Sequence, residues 1–378
     1  MKILMIAVNG IDSKSSPGVS KKLLGQYHAF QSLGEDVYFL TYSDSNTVLL
    51  HEKEENILFA NKNNGYVSNI SLFNVAPSIC KKYHIDCCYI RFALSDWSFI
   101  RMLRRLSVLS KVVVEIPTYP YDEENKKYTN LVSRFNYIQD RFLRRQWKMY
   151  VNRVVTFSDD KEIFGIPCIN INNGIDVGAV KYVGDELNYD GDVTLISVAL
   201  MRPSHGYDRV IAGMAKYYHE NIMPERIIHY LVVGNGPDTD HLQQMVHENH
   251  LESYVKFCGV QSGQELDKLF RQSNIGIAVL AGHRDGLESV SDLKSREYCA
   301  RGIPFITANS DKAIPKDSIF LKAVQMNDKP IDMVEIIRFF DYIKEQKEIH
   351  HICREYAERY FCWEHQMRKV VREVEEEM

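Results

Sequence analysis

Residues 228–248 read IHYLVVGNGPDTDHLQQMVHE. The apolar run Ile228–Val233 predicts a buried strand, 234–237 is a glycine-rich turn, and the residues that follow predict a helix. A strand, a turn and a helix in this order are the repeating unit of a parallel α/β fold.

The same alternation extends outward in both directions from this unit. In the second half of the chain we expect further strands at Val193–Val198, Val255–Phe257, Ile275–Leu280 and Pro304–Thr307, and helices at Tyr207–Tyr218, Glu265–Gln272 and Val290–Arg301. In the first half we expect strands at Ile3–Val8, Val37–Tyr42, Cys88–Arg91, Val112–Ile116 and Val154–Ser158, a loop with short strands at 45–75, and one long helix at 128–150. Two parallel α/β domains are therefore predicted.

The domain boundary is predicted in the segment 168–191. This segment has clusters of Asn, Gly and Asp without clear periodicity, which is typical of a linker. A chain of 378 residues also suits two domains, because one domain usually holds roughly 100–200 residues. We expect one domain at 1–170 and a second at 171–350, followed by a C-terminal helix within 351–378.

Charge and cysteine content indicate which kinds of binding partner and which cellular compartment suit the chain. The net charge is −4 and indicates no nucleic-acid partner, but residues 1–170 hold 22 Lys and Arg against 17 Asp and Glu. This basic half suits an anionic partner or a membrane surface, although ordinary surfaces explain it equally well. Eight scattered cysteines form no Cys-x-x-Cys pair, which favours free thiols in a reducing cytoplasm. We find no signal peptide and no run approaching the ~20 apolar residues of a membrane span.

The most informative stretch for chemistry is 286–304, GLESVSDLKSREYCARGIP. Ser289 or Ser291 could cap a helix that ends at Gly302, on which Lys294 and Glu297 would share one face. Glu288 would lie in the loop before that helix, at the edge where open parallel sheets bind their ligands. A plain surface pair of Glu297 with Arg301 is the alternative interpretation.

Three other groups of residues could contact a ligand. Arg202 and His205 follow a predicted strand and could face a phosphate. The loop of Gly234, Asn235, Gly236 and Pro237 could bring backbone close to a ligand at a helix N-terminus. The Asp-x-Asp sequence at 238–240 imitates a metal motif but is better explained as helix capping. The histidines at 247 and 250 are better explained as part of a surface helix, so we expect no metal site.

Six short segments follow one another along the chain: Asn173–Asp176, His205-Gly206, Val233–Pro237, Phe257–Gly259, Glu297–Pro304 and Phe361–Glu364. Taken in this order, they resemble the GT-B glycosyltransferases of glycosyltransferase family 4. The segment Leu293–Tyr298 before Ala300-Arg301-Gly302 is similar to a bacterial polysaccharide subgroup.

The resemblance implies two Rossmann-like domains with parallel sheets facing a central cleft, and a last helix that crosses back to the N-terminal domain. The C-terminal domain would bind a nucleotide-sugar: Glu297 would bind the ribose, while Lys294 and the helix start from Ser291 to Leu293 would face the diphosphate or sugar. The loop at Gly18 would close over the phosphates. Transfer with retention of anomeric configuration, without a cofactor or metal, is also implied.

The sequence departs from the family pattern at three positions. The usual Glu eight residues before Glu297 is Ser289 here, with Glu288 one residue earlier, so either position could contact the sugar. The family usually has Lys before the glycine in the first loop of the C-terminal domain. Here His205 takes that position, with Arg202 nearby. The usual acceptor-domain His has no counterpart, and Glu115 or Tyr119 is a candidate for that role.

The predicted function is transfer of a hexosyl group from a UDP-sugar, or a GDP-sugar, to a saccharide or lipid-linked saccharide in surface polysaccharide synthesis. Catalysis would depend on Glu288, Lys294 and Arg202. A peripheral membrane contact through the basic helix 128–150 is one possibility, and a plain surface helix is the other. A non-catalytic partner subunit and a GT-B sugar-nucleotide epimerase are the alternative functions.

Overall fold

The computed structural model describes all residues except 13–16, 45, 53, 61–65, 122–130, 222, 287–290 and 378. It leaves the side chains at 17, 66–68 and 131–133 undescribed. The chain divides into two compact units, the first formed by Met1–Gly174 with Trp363–Met378 and the second by Ile175–Cys362. Residues 351–362, which the sequence grouped with the terminal helix, belong to the second unit.

The first unit contains one mixed sheet, with nine strands in the described residues, in the order β4-β3-β2-β1-β5-β6-β7-β9-β8. The strands are β1 (Lys2–Gly10), β2 (Asp36–Ser43), β3 (Asn46–His51), β4 (Glu54–Ala60), β5 (Cys87–Arg91), β6 (Lys111–Ile116), β7 (Arg153–Thr156), β8 (Glu162–Ile163) and β9 (Ile166–Asn170). The helices are α1 (Pro17–Ser32), α2 (Tyr66–Tyr83), α3 (Trp97–Leu106) and α4 (Leu131–Leu143). Strands β3, β4 and β8 pair antiparallel, and the others pair parallel.

The alternation of side chains along β1 explains why this sheet is covered on both faces. Ile3 and Met5 enter one apolar core, which includes α1, whereas Leu4 and Ile6 enter the opposite core, which includes α2 and α3. Successive side chains of a strand point to opposite faces, so an uninterrupted apolar strand needs a helical layer on each side.

The second unit contains a parallel sheet with six strands in its described residues, in the order β12-β11-β10-β13-β14-β15. The strands are β10 (Val193–Leu200), β11 (Ile228–Asn235), β12 (Val255–Gly259), β13 (Ile275–Ile277), β14 (Phe305–Thr307) and β15 (Leu321–Ala323). The helices are α5 (Tyr207–Glu220), α6 (Thr239–Glu248), α7 (Gly263–Arg271), α8 (Leu293–Arg301), α9 (Met333–Glu345) and α10 (Ile349–Tyr356). The chain then returns to the first unit as α11 (Trp363–Glu375).

The predicted fold class of two parallel α/β domains is confirmed, and two predicted elements are correct only in part. The single helix expected at 128–150 is α4 followed by a 3-10 helix at Arg144–Met149, and residues 122–130 lie outside the described residues. The loop with short strands expected at 45–75 has its strands in the β3–β4 hairpin, but it also contains the beginning of α2, which the sequence did not predict. None of the described helices is long and apolar enough to cross a membrane.

Candidate functional site

The carboxyl edge of the second sheet carries the residues for which the sequence predicts a ligand. The segment 201–206 follows β10, the glycine loop begins with the last two residues of β11, and α8 begins at the same edge between β13 and β14. The loop after β10 is held in place because the Leu280 amide donates to the carbonyl of His205 over 2.9 Å. Parallel sheets place ligands at such edges, where loops from neighbouring strands meet.

Lys294 and His205 meet at this edge. Lys294 Nζ lies 3.3 Å from His205 Nε2 although the two residues are far apart in the chain. Both side chains are half-buried, whereas Arg202 is exposed beside them. The predicted convergence of the β10 loop with the first turn of α8 is therefore present within the second unit.

The electrostatics of the pair favour an anion. Burial, followed by the charges of Lys294 and Arg202, lowers the pKa of His205 to about 3, so its ring is neutral near neutral pH. Nε2 then accepts from the Lys294 ammonium, and Nδ1 carries the proton. Nδ1 is buried and has no hydrogen-bond partner among the described residues. A cation and an unsatisfied N–H therefore lie together.

Lys294 itself is cationic with little local compensation. Burial lowers the pKa of Lys294, Asp292 opposes this shift, and Arg202 adds to it. Lys294 forms no ion pair within the part of the chain that the structure describes. Glu288 lies outside that part. Burying a cation without a carboxylate is unfavourable unless an anion compensates it, so Lys294 favours an anionic ligand at this edge.

The helix start differs from the sequence prediction. Asp292 caps α8 by accepting from the Ser295 amide over 2.9 Å and from the Ser295 hydroxyl over 2.8 Å. The proposed cap Ser291 instead accepts a 2.8 Å hydrogen bond from the buried Arg296, so that prediction is wrong for Ser291. Ser289, like Glu288, lies outside the described residues. Asp is a strong N-cap residue, and the sequence did not distinguish it from the serines beside it.

Glu297 lies one turn after Lys294 and is half-buried. Arg301 donates to Glu297 Oε1 from Nε and Nη2 over 3.1 and 3.0 Å, and it also contacts Asp267 over 2.7 Å. The pairing of Glu297 with Arg301 is therefore present, but Arg301 is only 5% exposed, so the interpretation as a plain surface pair is wrong. Both contacts end on Oε1, and among the described residues Oε2 accepts no hydrogen bond, so it stays available to a hydroxyl group.

The glycine loop is explained by packing inside the unit. Gly234 has φ +118°, and a side chain there would overlap the Ala199 carbonyl, while one at Gly236 would overlap the backbone of Met201. Asn235 Oδ1 accepts from the Gly236 amide over 2.8 Å, which closes the turn before Pro237. The glycines thus let the end of β11 and the turn after it pack closely against the end of β10 and Met201, so their presence does not by itself require a ligand.

The Asp-x-Asp sequence is part of the next helix start. Asp238 is buried and contacts His241 Nδ1 at 3.1 Å, and among the described residues no group of three His, Cys, Asp or Glu side chains could hold a metal ion. His247 is exposed and pairs with Glu252 at 2.9 Å.

In the first unit, Glu115 is a buried ion-pair partner rather than a surface carboxylate. It contacts Lys22 Nζ at 3.3 Å and also pairs with Arg91, Tyr89 and Gln26. Burial alone would raise its pKa, but attraction to Lys22 and Arg91 lowers it to about 2. The suggestion that Glu115 faces an acceptor is therefore wrong, because its side chain is 0% exposed.

Tyr119 and Gly18 are the other candidate residues of the first unit. Tyr119 is half-buried in ring contacts with Tyr121 and Phe164. Gly18 lies in the first turn of α1, and a Cβ atom there would meet nothing within 4 Å. Sequence reasoning missed Lys22, whose apolar neighbours in α1 gave no indication that it is buried.

The fold is that of GT-B glycosyltransferases. A glycosyltransferase from Rickettsia africae is similar over 99% of this chain and 98% of its own, with a TM-score of 0.66 and 15% identity. Anabaena HepE in complex with UDP-glucose covers 97% and 98%, with a TM-score of 0.60 and 14% identity. The catalytic domain of Arabidopsis thaliana starch synthase IV, bound to ADP and acarbose, covers 99% of both chains, with a TM-score of 0.60 and 11% identity. No family model and no curated protein sequence matches.

Proposed function

We propose that this chain is a glycosyltransferase that moves a hexosyl group from a nucleoside diphosphate sugar to a saccharide or a lipid-linked saccharide. The observation that carries the proposal is the contact between Lys294 and His205 at the carboxyl edge of the second sheet. The GT-B fold and the UDP-glucose in the HepE complex support a UDP-sugar as the donor to test first. Starch synthase, with ADP, has a similar fold, so the base must be decided by binding measurements.

In this proposal the diphosphate lies between Lys294, Arg202 and the first turn of α8. The ammonium, the guanidinium and the helix N-terminal amides would stabilise the negative charge that develops on the leaving diphosphate. His205 would donate its Nδ1 hydrogen to a phosphate oxygen, and Glu297 Oε2 would accept from a ribose hydroxyl. These cationic groups would take the part that a metal ion plays in other phosphate sites.

The sugar contact is assigned to Glu288, with Ser289 as the alternative. Closure of the loop at Gly18 over the phosphates, membership of glycosyltransferase family 4 in its bacterial polysaccharide subgroup, and retention of configuration belong to the same proposal, and all rest on the resemblance of the sequence. Activity in the cytoplasm, with peripheral contact to a membrane, suits a lipid-linked acceptor.

Calorimetric titration with UDP, GDP and ADP, each alone and as its glucose conjugate, tests the donor site. We expect one nucleotide to bind in the micromolar range, and the corresponding sugar to be transferred to an added acceptor. Absence of binding by all six ligands would indicate a non-catalytic partner subunit. Conversion of a nucleotide-sugar without acceptor would indicate an epimerase, and either result would contradict the proposal.

A further inference from the structure

The exposed face of α4 in the first unit combines apolar and basic side chains. At about 100° per residue, positions 134, 135, 138, 141 and 142 fall within an arc of about 120°. Phe135, Ile138 and Phe142 on this arc are 61–66% exposed, and both arginines on it are exposed. The opposite side of the helix carries the buried Asp140 and Leu143. An apolar residue row this exposed on a surface helix needs a partner.

A second element presents the same combination of side chains. The exposed side of α3 carries Trp97, which is 59% exposed, and three exposed arginines at 101, 104 and 105. Val108, in the turn after α3, is 80% exposed. A cleft of about 480 Å³ is lined by Arg104 and Val108 on one side and by Lys148 and Met149 on the other. This cleft joins α3 to the 3-10 helix that continues α4.

We call the exposed side chains of 97–109 and 134–149 the basic apolar face. Segment 97–109 contains no Asp or Glu, and 134–149 contains only Asp140. Asp140 is buried and accepts from the Ser95 amide and the Tyr121 hydroxyl, each over 3.0 Å. The basic residues of the face therefore have no exposed carboxylate from their own segments to neutralise them.

We infer that the basic apolar face is a docking surface for an anionic lipid bilayer. Arginines attract the anionic headgroups, while Phe, Ile, Trp and Val side chains enter the boundary between headgroups and acyl chains. The inference deepens the proposed peripheral membrane contact, and for its biological meaning it rests on the proposed function with a lipid-linked acceptor. It adds α3 and the apolar anchors to the basic helix expected from the sequence.

Two other occupants fit the face less well. A second copy of the chain would bring the same cations against one another across a twofold interface, where the same patch meets itself. A nucleic acid would use the arginines but leave the large aliphatic and aromatic side chains, 61–66% exposed on α4, without a partner. The mixture of both residue types on one helical arc matches the chemistry of an anionic bilayer.

Vesicle flotation with the full chain tests the inference. Phosphatidylcholine vesicles containing phosphatidylglycerol should bind the protein, pure phosphatidylcholine vesicles should bind it far less, and high salt should weaken the binding. An apolar variant, Phe135→Ser with Ile138→Ser and Phe142→Ser, should lose at least about 50-fold in partitioning, because each buried CH₂ contributes about fourfold and three anchors are gone. A charge variant, Arg134→Gln with Arg141→Gln and Arg145→Gln, should lose about 100-fold at low salt, since each cation contributes about fivefold.

Matched controls alter exposed residues of the second unit. The apolar control is Met223→Ser with Val260→Ser and Val334→Ser, and the charge control is Lys216→Gln with Lys268→Gln and Arg338→Gln; all six side chains are exposed. Both controls should bind vesicles like the parent protein. All variants should keep the parent melting temperature, because the changed side chains face solvent.

Three results would overturn the inference. These are no binding of the parent protein to anionic vesicles, equal loss in the controls, and a dimer in solution that the apolar variant abolishes without lipid. Tighter binding to a mixed-sequence RNA than to vesicles would assign the face to nucleic acid instead. Titration with UDP separates this inference from the proposed function. Vesicle binding without nucleotide binding would support the membrane-docking face and contradict the donor site. Nucleotide binding without vesicle binding would support the donor site and contradict the membrane-docking face.

Discussion

At the scale of single residues, the second unit places a cation where the sequence expected a phosphate contact. The proximity of Lys294 to His205 could be anticipated, because both follow strands that end at the same edge of a parallel sheet. The neutral state of His205 could not be anticipated. It results from burial and from the two cations beside it, which are properties of the folded unit.

Replacement of Lys294 by Met tests this cation directly. Met keeps the length of the side chain and removes the charge, so nucleoside diphosphate affinity should fall about 10- to 100-fold, the effect of one charge-assisted hydrogen bond. Calorimetry at neutral pH measures the change, with Lys268→Met, on the surface of α7, as the control that leaves affinity unchanged. Equal affinity in both variants would remove Lys294 from the site.

The pH dependence of the parent protein follows from the same residue. Burial lowers the pKa of Lys294, so the ammonium is lost at lower pH than in an ordinary lysine. We therefore expect nucleoside diphosphate affinity to decline as pH rises through that lowered pKa, earlier than the deprotonation of an ordinary lysine would cause. A decline of the same size in Lys294→Met would assign the titration to another group.

A second residue-scale prediction concerns stability. The folded pKa of Glu115 is about 2, below its ordinary value of 4.5, so its contribution to stability is complete above 4.5 and is lost as pH falls through about 2. Glu115→Gln leaves Lys22 and Arg91 buried without their carboxylate and should cost about 3–5 kcal/mol at neutral pH.

Urea unfolding followed by circular dichroism gives the free energy for the parent and the variant between pH 5 and the acid limit of folding. The parent should lose stability faster than Glu115→Gln over this window, since the variant lacks the carboxyl that must be protonated. Parallel curves would show that Glu115 does not cause the acid dependence. Asp140→Asn removes another buried carboxyl from the same unit, but burial raises the pKa of Asp140, so this variant should lose stability on acidification at least as fast as the parent.

At the scale of elements, the start of α8 decides where the cation of Lys294 is held. Asp292 accepts two hydrogen bonds from Ser295, one from its amide and one from its hydroxyl. Asp292→Ala should destabilise the second unit by about 1 kcal/mol, the usual effect of an N-cap. It should also weaken nucleoside diphosphate binding, because the first turn and Lys294 would be less well ordered.

Asp292→Asn keeps the acceptor oxygen and should retain most of the melting temperature and of the binding. Calorimetric melting of the three proteins with and without UDP gives both quantities. If Ala and Asn behave alike, the stabilising feature is the negative charge near the helix N-terminus and not the hydrogen bond.

Elements also show how far the sequence could be interpreted. The strands with continuous apolar runs, such as β6 and β11, were predictable because a buried parallel strand needs no polar face. Helix α2 was missed because it begins within a polar, Asn-rich stretch and contains Pro77, so its periodicity is weak. The cap of α8 was misassigned because Ser289, Ser291 and Asp292 are all good N-cap residues, and only tertiary contacts decide between them.

At the scale of the whole molecule, the chain leaves the first unit at Gly174 and returns to it at Trp363. Trp363 is 2% exposed and lies between two glycines. A side chain at Gly25 in α1, or at Gly174, would overlap its indole ring. Lys22 Nζ lies 5.7 Å from the same ring and 3.3 Å from Asn173 Oδ1, so the leaving and returning segments meet inside the first unit.

This arrangement predicts that Gly25→Ala destabilises the first unit even though Gly-to-Ala changes inside helices usually stabilise. Helix propensity alone would favour Ala by about 1 kcal/mol, but the added methyl must displace the Trp363 ring, and such overpacking costs about 1–3 kcal/mol. The net loss should appear as a lower urea midpoint than that of the parent. At low urea concentrations the indole fluorescence should also change more in the variant than in the parent. Gly191→Ala, where a Cβ atom meets nothing within 4 Å, is the control and should stay close to the parent. A Gly25→Ala protein as stable as the parent would mean that the Trp363 ring can shift freely. The return of the chain would then need another anchor, for which the 2.9 Å hydrogen bond from the Asn172 amide to Gln366 Oε1 is the next candidate.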